Sequence, residues 1–128
     1  MNNKYLNTLG GIILDAAISV HRELGPGLLE SAYELALAHE LRLRGVLVRT
    51  QVPVELTYKK ASLGKAYVMD LLIEEVIIIE IKSAEVMNPI FEAQLITYLK
   101  LADKRLGYLI NFNVTLLKDG FKRMVNRF

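Results

Sequence analysis

The sequence contains no cysteine, and this absence excludes disulfide bonds, thiolate zinc sites and a cysteine nucleophile. The formal net charge is only +2 at pH 7, which is too weak on its own to indicate a nucleic-acid-binding protein. The two histidines, His21 and His39, lie far apart and lack the spacing of metal ligands. Neither thiol chemistry, bulk charge nor histidine spacing therefore points to a function.

Long apolar segments are also missing. No run is long enough to span a bilayer. Residues 10–20 are apolar, but Asp15 interrupts them, and they lack the basic flank and cleavage site of a signal peptide. We therefore expect a cytoplasmic protein with no membrane partner. A length of 128 residues with 52% hydrophobic content suits one compact domain covering residues 1–128.

The hydrophobic pattern predicts an α/β protein. Apolar residues recur at helical spacing in three segments, which predicts helices at 4–24, 28–44 and 89–102, with Leu29 and Ile90 on apolar faces. The predicted strands cover 46–51, 52–58, 67–82 as a hairpin, 106–112 and 121–125, where the last is a short strand or a helical end. Residues 59–64 are predicted as a polar turn.

The order of these elements predicts a mixed sheet. A helix connects the hairpin to the strand at 106–112, so the second hairpin strand should lie parallel to that strand. Helices should cover at least one face of the sheet. Pro53 indicates that its strand begins at an edge or after a bend.

The hairpin at 67–82 carries the most informative residues. Glu80 and Lys82 lie two apart on one strand and therefore project to the same face, and the hairpin returns Asp70 to about their level. Two carboxylates and an ammonium are costly to bury without partners. Because Mg²⁺ is bound by one or two carboxylates with substrate phosphates, the hairpin predicts a metal-dependent phosphodiester site. The alternative is a solvated strand face with a cross-strand ion pair.

The loop of this hairpin decides whether its carboxylates share a face. A two-residue loop at Glu74 and Glu75 would pair Asp70 with Ile79, which would place Asp70 and Glu80 on opposite faces. A shared site requires a three-residue loop, or a bulge that re-aims one side chain. We predict one of these two arrangements.

Several segments together resemble a known family. The segment from Gly27 through Glu30 to Tyr33 matches the signature of the GxxExxY proteins, a branch of the PD-(D/E)XK nuclease superfamily. The resemblance covers nearly the whole chain, and further matching segments are His21–Glu30, Gln51–Val54, Glu92–Leu99 and Leu109–Asn113. It implies a restriction-endonuclease-like αβββαβ core with a mixed central sheet flanked by helices.

The resemblance also implies a role for each ionisable residue of the hairpin. Asp70 matches the metal-binding Asp of the superfamily, although Met69 precedes it where the name of the superfamily has Pro, and Glu80 and Lys82 match the E-x-K pair. Asp70, Glu80 and the backbone carbonyl of Ile81 would hold Mg²⁺ or Mn²⁺, and Lys82 would orient the water or stabilise charge on the phosphate.

Three further residues have both a functional and a structural interpretation. Glu30 resembles the acidic residue that some branches carry on the N-terminal helix, where it would complete the metal shell, but a carboxylate in a first turn also suits the helix dipole. Gln94 and Tyr98 resemble the Q-x-x-x-Y element of exonuclease-like branches and lie on one face of a helix. They would hold Lys82, Glu80 or nucleic acid, or Tyr98 simply lies in the core.

These interpretations predict a metal-dependent nuclease that acts on nucleic acid, with DNA favoured over RNA. The alternative is a non-catalytic module that binds nucleic acid or protein, and a homo-oligomer or protein partner remains open. Convergence of Glu30, Asp70, Glu80 and Lys82 on one cavity would favour the enzyme. No recognition helix or aromatic stacking platform is evident, so the sequence predicts no base preference.

Overall fold

The computed structural model describes residues 2–128, and these form a mixed sheet with helices on both faces. The elements are α1 (Asn3–Leu24), α2 (Glu30–Leu43), β1 (Val48–Tyr58), β2 (Ala61–Ile73), β3 (Ile77–Lys82), α3 (Ile90–Leu101), β4 (Leu106–Asn111), a 3₁₀ turn (Leu117–Gly120) and β5 (Phe121–Val125). The order from α2 to β4 is the predicted αβββαβ core, and no helix among residues 2–128 is long and apolar enough to cross a membrane.

The five strands follow one another in the sheet in the order β1-β2-β3-β4-β5. All neighbouring pairs are antiparallel except β3 and β4, which are parallel, with Ile77 opposite Leu106 and Lys82 opposite Asn111. Parallel neighbours need a crossover connection, and α3 supplies it between these two strands. The predicted mixed sheet is therefore confirmed.

The core has two parts because both faces of the sheet are covered. The cluster on the α1 and α2 face includes Ile13, Leu37 and Ile79, whereas the cluster on the α3 face includes Ile78 and Leu95. A strand that is buried on both faces should be apolar at every position. Strand β3 follows this rule up to Glu80, which is only 5% exposed, so this carboxylate interrupts a buried strand.

The ends of two helices differ from the sequence prediction. Helix α2 begins at Glu30, because Leu29 has an extended backbone and its side chain is 77% exposed. Helix α3 begins at Ile90, whose side chain is 60% exposed in the first turn. The prediction that Leu29 and Ile90 lie on buried helix faces was therefore wrong. Helical spacing groups apolar residues on one face of a helix, but it does not show whether the first residue of that face extends beyond the core.

The strands β1 and β2 extend beyond the rest of the sheet as a two-stranded arm, residues 55–66. The segments predicted as 46–51 and 52–58 join in β1, and the predicted turn at 59–64 shrinks to Lys59 and Lys60, both with positive φ (49° and 67°). No residue of the arm is buried. A strand with no buried face does not need to alternate apolar and polar residues. The polar residues 59–64 were therefore predicted as a turn, although most of them belong to a strand.

Candidate active site

The strands β2 and β3 separate at Asp70 and Glu80, and this point is called the fork. The main-chain pairing runs from Ile73 opposite Ile77 to Leu71 opposite Ile79 and stops there. The hairpin loop therefore has three residues, as predicted, and the next two residues, Asp70 and Glu80, lie at one level. Beyond the fork, β2 stays paired with β1, and β3 stays paired with β4.

Each carboxylate of the fork binds the backbone of the opposite strand. The N–H of Asp70 donates to Oε2 of Glu80 at 2.8 Å, and the N–H of Ile81 donates to Oδ2 of Asp70, also at 2.8 Å. These two bonds satisfy backbone groups where the ladder has stopped. The backbone of Ile81 consequently lies against the Asp70 carboxylate.

Gln51 lies opposite Asp70 on β1, in the gap between two regular backbone pairs. Its φ of 52° is left-handed, which costs a non-glycine residue about 1–2 kcal/mol. The strand changes face there, because Val48 packs in the first core cluster and Val52 in the second. The Gln51 amide donates to Oε1 of Glu34 at 2.6 Å, so the unusual backbone directs this side chain toward the carboxylates.

A depression of about 270 Å³ opens beside the fork on the α2 side. Its lining residues are Glu30, Ser31, Glu34, Gln51 and Asp70. The sequence analysis missed Glu34 and Gln51. The sequence contained a signal for Glu34, because this residue follows Glu30 by one helical turn and lies on the same helix face. Nothing in the residue spacing of β1 indicated that Gln51 belongs to the site.

The predicted residues converge only in part on this depression. Glu30 and Asp70 line it, whereas Glu80 and Lys82 do not. Lys82 nevertheless lowers the pKa of both Asp70 and Glu80, and Glu30 raises the pKa of Asp70, so all four groups interact electrostatically.

The carboxylates are costly to ionise in this environment. Burial, reinforced by the charge of Asp70, raises the pKa of Glu80 to about 8. Burial also raises the pKa of Asp70, and burial together with the Asp70 charge raises the pKa of Glu34. Lys82 opposes the shifts of Asp70 and Glu80 without cancelling them. A further cation near the fork would therefore stabilise the ionised pair.

The donor groups of the fork fit a hard divalent cation. Among residues 2–128, no three histidine or carboxylate side chains are grouped closely enough to hold a metal ion. Mg²⁺, however, is bound through one or two carboxylates together with water and phosphate oxygens. Asp70 and Glu80 supply two such carboxylates side by side, so the residues fit Mg²⁺ or Mn²⁺ once a substrate phosphate completes the shell.

Lys82 lies at the border between the fork and helix α3. Its Nζ is 4.4 Å from the centre of the Phe91 ring, and the ion pairs of residues 2–128 do not include it. The alternative of a solvated strand face with a cross-strand ion pair therefore does not describe this surface, because Glu80 is buried and Lys82 forms none of these ion pairs. The ammonium remains available for a phosphate.

Gln94 and Tyr98 lie on the α3 side of the fork. Tyr98 is 4% exposed, and burial, with contributions from the charges of Glu80 and Asp70, raises its pKa to about 12. The hydroxyl therefore stays protonated at neutral pH and can donate a hydrogen bond. Gln94 lines a separate cavity together with Tyr98.

Tyr33 holds the turn that leads to Glu30. Its ring stacks on Phe112 with centroids 4.5 Å apart, and it is fully buried. Its hydroxyl donates to the carbonyl of Gly25 at 2.5 Å and accepts from the N–H of Leu28 at 3.1 Å. The spacing from Gly27 to Tyr33 thus places the Tyr33 hydroxyl where its two hydrogen bonds close the turn that precedes α2.

Replacing Tyr33 with phenylalanine is expected to lower the free energy of unfolding by about 1–3 kcal/mol, because Gly25 and Leu28 lose a partner. Urea denaturation measures this change. The matched control is Tyr5→Phe, since Tyr5 is an exposed tyrosine near the start of α1. Equal stability of both variants and the native chain would contradict the assigned role of the hydroxyl.

Comparison with protein families shows which superfamily the chain belongs to. A family model described as the PD-(D/E)XK nuclease superfamily matches residues 7–124. No curated protein and no solved structure matches the chain significantly. The matched range includes the fork, the depression beside it and the whole of α3.

Proposed function

Because the chain belongs to the PD-(D/E)XK nuclease superfamily, we propose that it is a metal-dependent nuclease that hydrolyses phosphodiester bonds, in DNA rather than RNA. The observation that carries this proposal is the fork, where the half-buried Asp70 and the buried Glu80 lie opposite each other and Lys82 is close enough for its charge to act on both. The turn between Gly27 and Tyr33 supports a place in the GxxExxY branch. We further propose that residues 1–128 act as one domain in the cytoplasm.

The proposed metal site consists of oxygen donors at the fork. Asp70, Glu80 and the backbone carbonyl of Ile81 would bind Mg²⁺ or Mn²⁺, and Glu30 would reach it directly or through water. When bound, the ion would polarise a phosphoryl oxygen and lower the pKa of a water molecule. Gln51 restrains the site by its bond to Glu34.

Two cationic or protonated groups complete the proposed mechanism. Lys82 would bind the phosphate and stabilise the negative charge that develops on the phosphate, because no carboxylate among residues 2–128 forms a direct ion pair with the Lys82 ammonium. The protonated Tyr98 hydroxyl, whose pKa is raised in part by the charge of Glu80, would hold Glu80 or the nucleic-acid backbone in place. No covalent intermediate is required, since water is the nucleophile.

The test is cleavage of labelled single- and double-stranded DNA and RNA with Mg²⁺, Mn²⁺ or a chelator. Asp70→Asn is expected to reduce cleavage about 100-fold or more, because the amide can still accept from Ile81 but no longer carries charge. Asp103→Asn, at an exposed aspartate, is the matched control.

Calorimetric titration with Mn²⁺ accompanies the cleavage assay. Metal-dependent cleavage that is lost only in Asp70→Asn supports a nuclease at the fork. Equal cleavage by both variants would place the activity elsewhere. Absence of both cleavage and metal binding would favour the alternative, a non-catalytic module that binds nucleic acid or protein on the same fold.

A further inference from the structure

An uncharged aromatic groove adjoins the fork on the α3 face. It has a volume of about 400 Å³ and lies between β2 and α3, with Tyr67, Ile90, Phe91, Gln94 and Tyr98 among its lining residues. The rings of Tyr67 and Tyr98 are 5.5 Å apart and inclined by 50°. None of the described residues that line this groove carries a charge.

Two side chains, Lys82 and Tyr98, connect the groove to the fork. The Lys82 ammonium, whose charge lowers the pKa of Asp70 and of Glu80, lies 4.4 Å from the centre of the Phe91 ring, which lines the groove. Tyr98 lines the groove and is also close enough to Glu80 for the carboxylate charge to act on its hydroxyl. A nucleotide whose phosphate binds Lys82 therefore has its base next to the groove.

The chemistry of the groove fits a flat, neutral, aromatic ring. Aromatic side chains stack on nucleobases of any sequence, and the Gln94 amide offers both a donor and an acceptor to a base edge. In a duplex, both faces of a base are covered by its neighbours, so a paired base cannot enter. The volume lies within the range of small-ligand pockets.

We propose that this groove binds an unpaired nucleobase next to the scissile phosphate, so that the chain acts on single-stranded or frayed nucleic acid. The inference rests on the proposed nuclease function and names its substrate class. No stacking platform was evident from the sequence, because Tyr67 and Phe91 belong to different elements and line one groove only in the folded chain.

The test uses a short single-stranded oligonucleotide that carries 2-aminopurine, whose fluorescence is quenched by stacking. Binding is measured in the Glu80→Gln background, which removes a buried carboxylate and is expected to slow cleavage about 100-fold or more during the titration. Adding Tyr67→Leu or Phe91→Leu is expected to weaken binding roughly tenfold and to reduce the quenching, since each replaces a ring by an aliphatic side chain. The matched control is Tyr58→Leu, at an exposed tyrosine on the arm.

The two groove substitutions lie on different elements, so if one variant fails to fold the other still tests the groove. Circular dichroism shows whether each variant is folded. Unchanged binding in both folded groove variants, or tighter binding of a duplex of the same sequence, would overturn the groove assignment and leave this surface to a protein partner. Cleavage by the native chain is measured separately. If the chain stacks the base without cleaving, the groove assignment stands and the proposed nuclease function fails.

Discussion

Replacing Glu80 with glutamine is expected to reduce cleavage about 100-fold or more and, in the metal-free protein, to increase the free energy of unfolding above pH 8. The amide retains an oxygen that accepts from the Asp70 N–H, so the geometry of the fork is preserved. The variant loses the buried charge, which is the source of both effects. A residue that lowers stability while supporting activity is characteristic of functional sites.

The direction of the pH effect follows from the two pKa values of Glu80. In the unfolded chain the carboxyl loses its proton near pH 4.5, whereas in the folded chain it retains the proton until about pH 8. Between these values unfolding releases a proton, so the stability of the native chain falls as the pH rises through this window. Below the window Glu80 carries no penalty, and above it the full penalty applies, on the order of 3–5 kcal/mol.

Urea denaturation in a chelator, repeated from pH 4 to pH 9, measures this linkage. The curves of the native chain and Glu80→Gln should nearly coincide at the acidic end and diverge as the pH rises. Glu85→Gln, at an exposed carboxylate just beyond β3, should follow the native curve throughout. Parallel curves for the native chain and Glu80→Gln would show that Glu80 is not held protonated by burial.

Replacing Lys82 with methionine is expected to lower the cleavage rate about 100- to 1000-fold, because the developing phosphate charge loses its cation. The methionine keeps an unbranched apolar side chain against Phe91, so stability should change little. Lys118→Met, at an exposed lysine of the 3₁₀ turn, is the matched control and should retain the native rate.

The pH dependence of the residual activity distinguishes a direct effect of Lys82 from a general loss of structure. Lys82 lowers the pKa of Asp70 and of Glu80, so its removal should raise both. The acidic limb of the pH–rate profile should consequently move to higher pH in Lys82→Met. A lower rate with an unshifted profile would contradict the electrostatic coupling between Lys82 and the carboxylates.

The sequence was sufficient to predict the central hairpin. Its apolar runs located β2 and β3. The requirement that Asp70 and Glu80 share a face predicted either a three-residue loop or a bulge, and the three-residue loop is present at residues 74–76. The parallel pairing of β3 with β4 followed from the intervening helix. These predictions succeeded because strand periodicity and connection rules depend on residues that are close in the chain.

The environment of the fork was harder to predict. The valines at 46, 48, 52 and 54 occupy even positions, which in an unbroken regular strand would place them all on one face. The left-handed backbone of Gln51 instead divides them between the two core clusters. A single φ value is not encoded by hydrophobic spacing. The contact of Gln51 with Glu34 and the meeting of Tyr67 with Tyr98 likewise depend on tertiary packing.

The arm at residues 55–66 has a consequence for how far the surface of this protein can reach. Beyond the fork its two strands pair only with each other, and neither core cluster includes a residue of the arm. Adding two residues to each strand would keep every side chain on its present face and move Lys59 and Lys60 about 7 Å outward. The arm can therefore be shortened or extended without repacking the interior, because neither core cluster depends on its length.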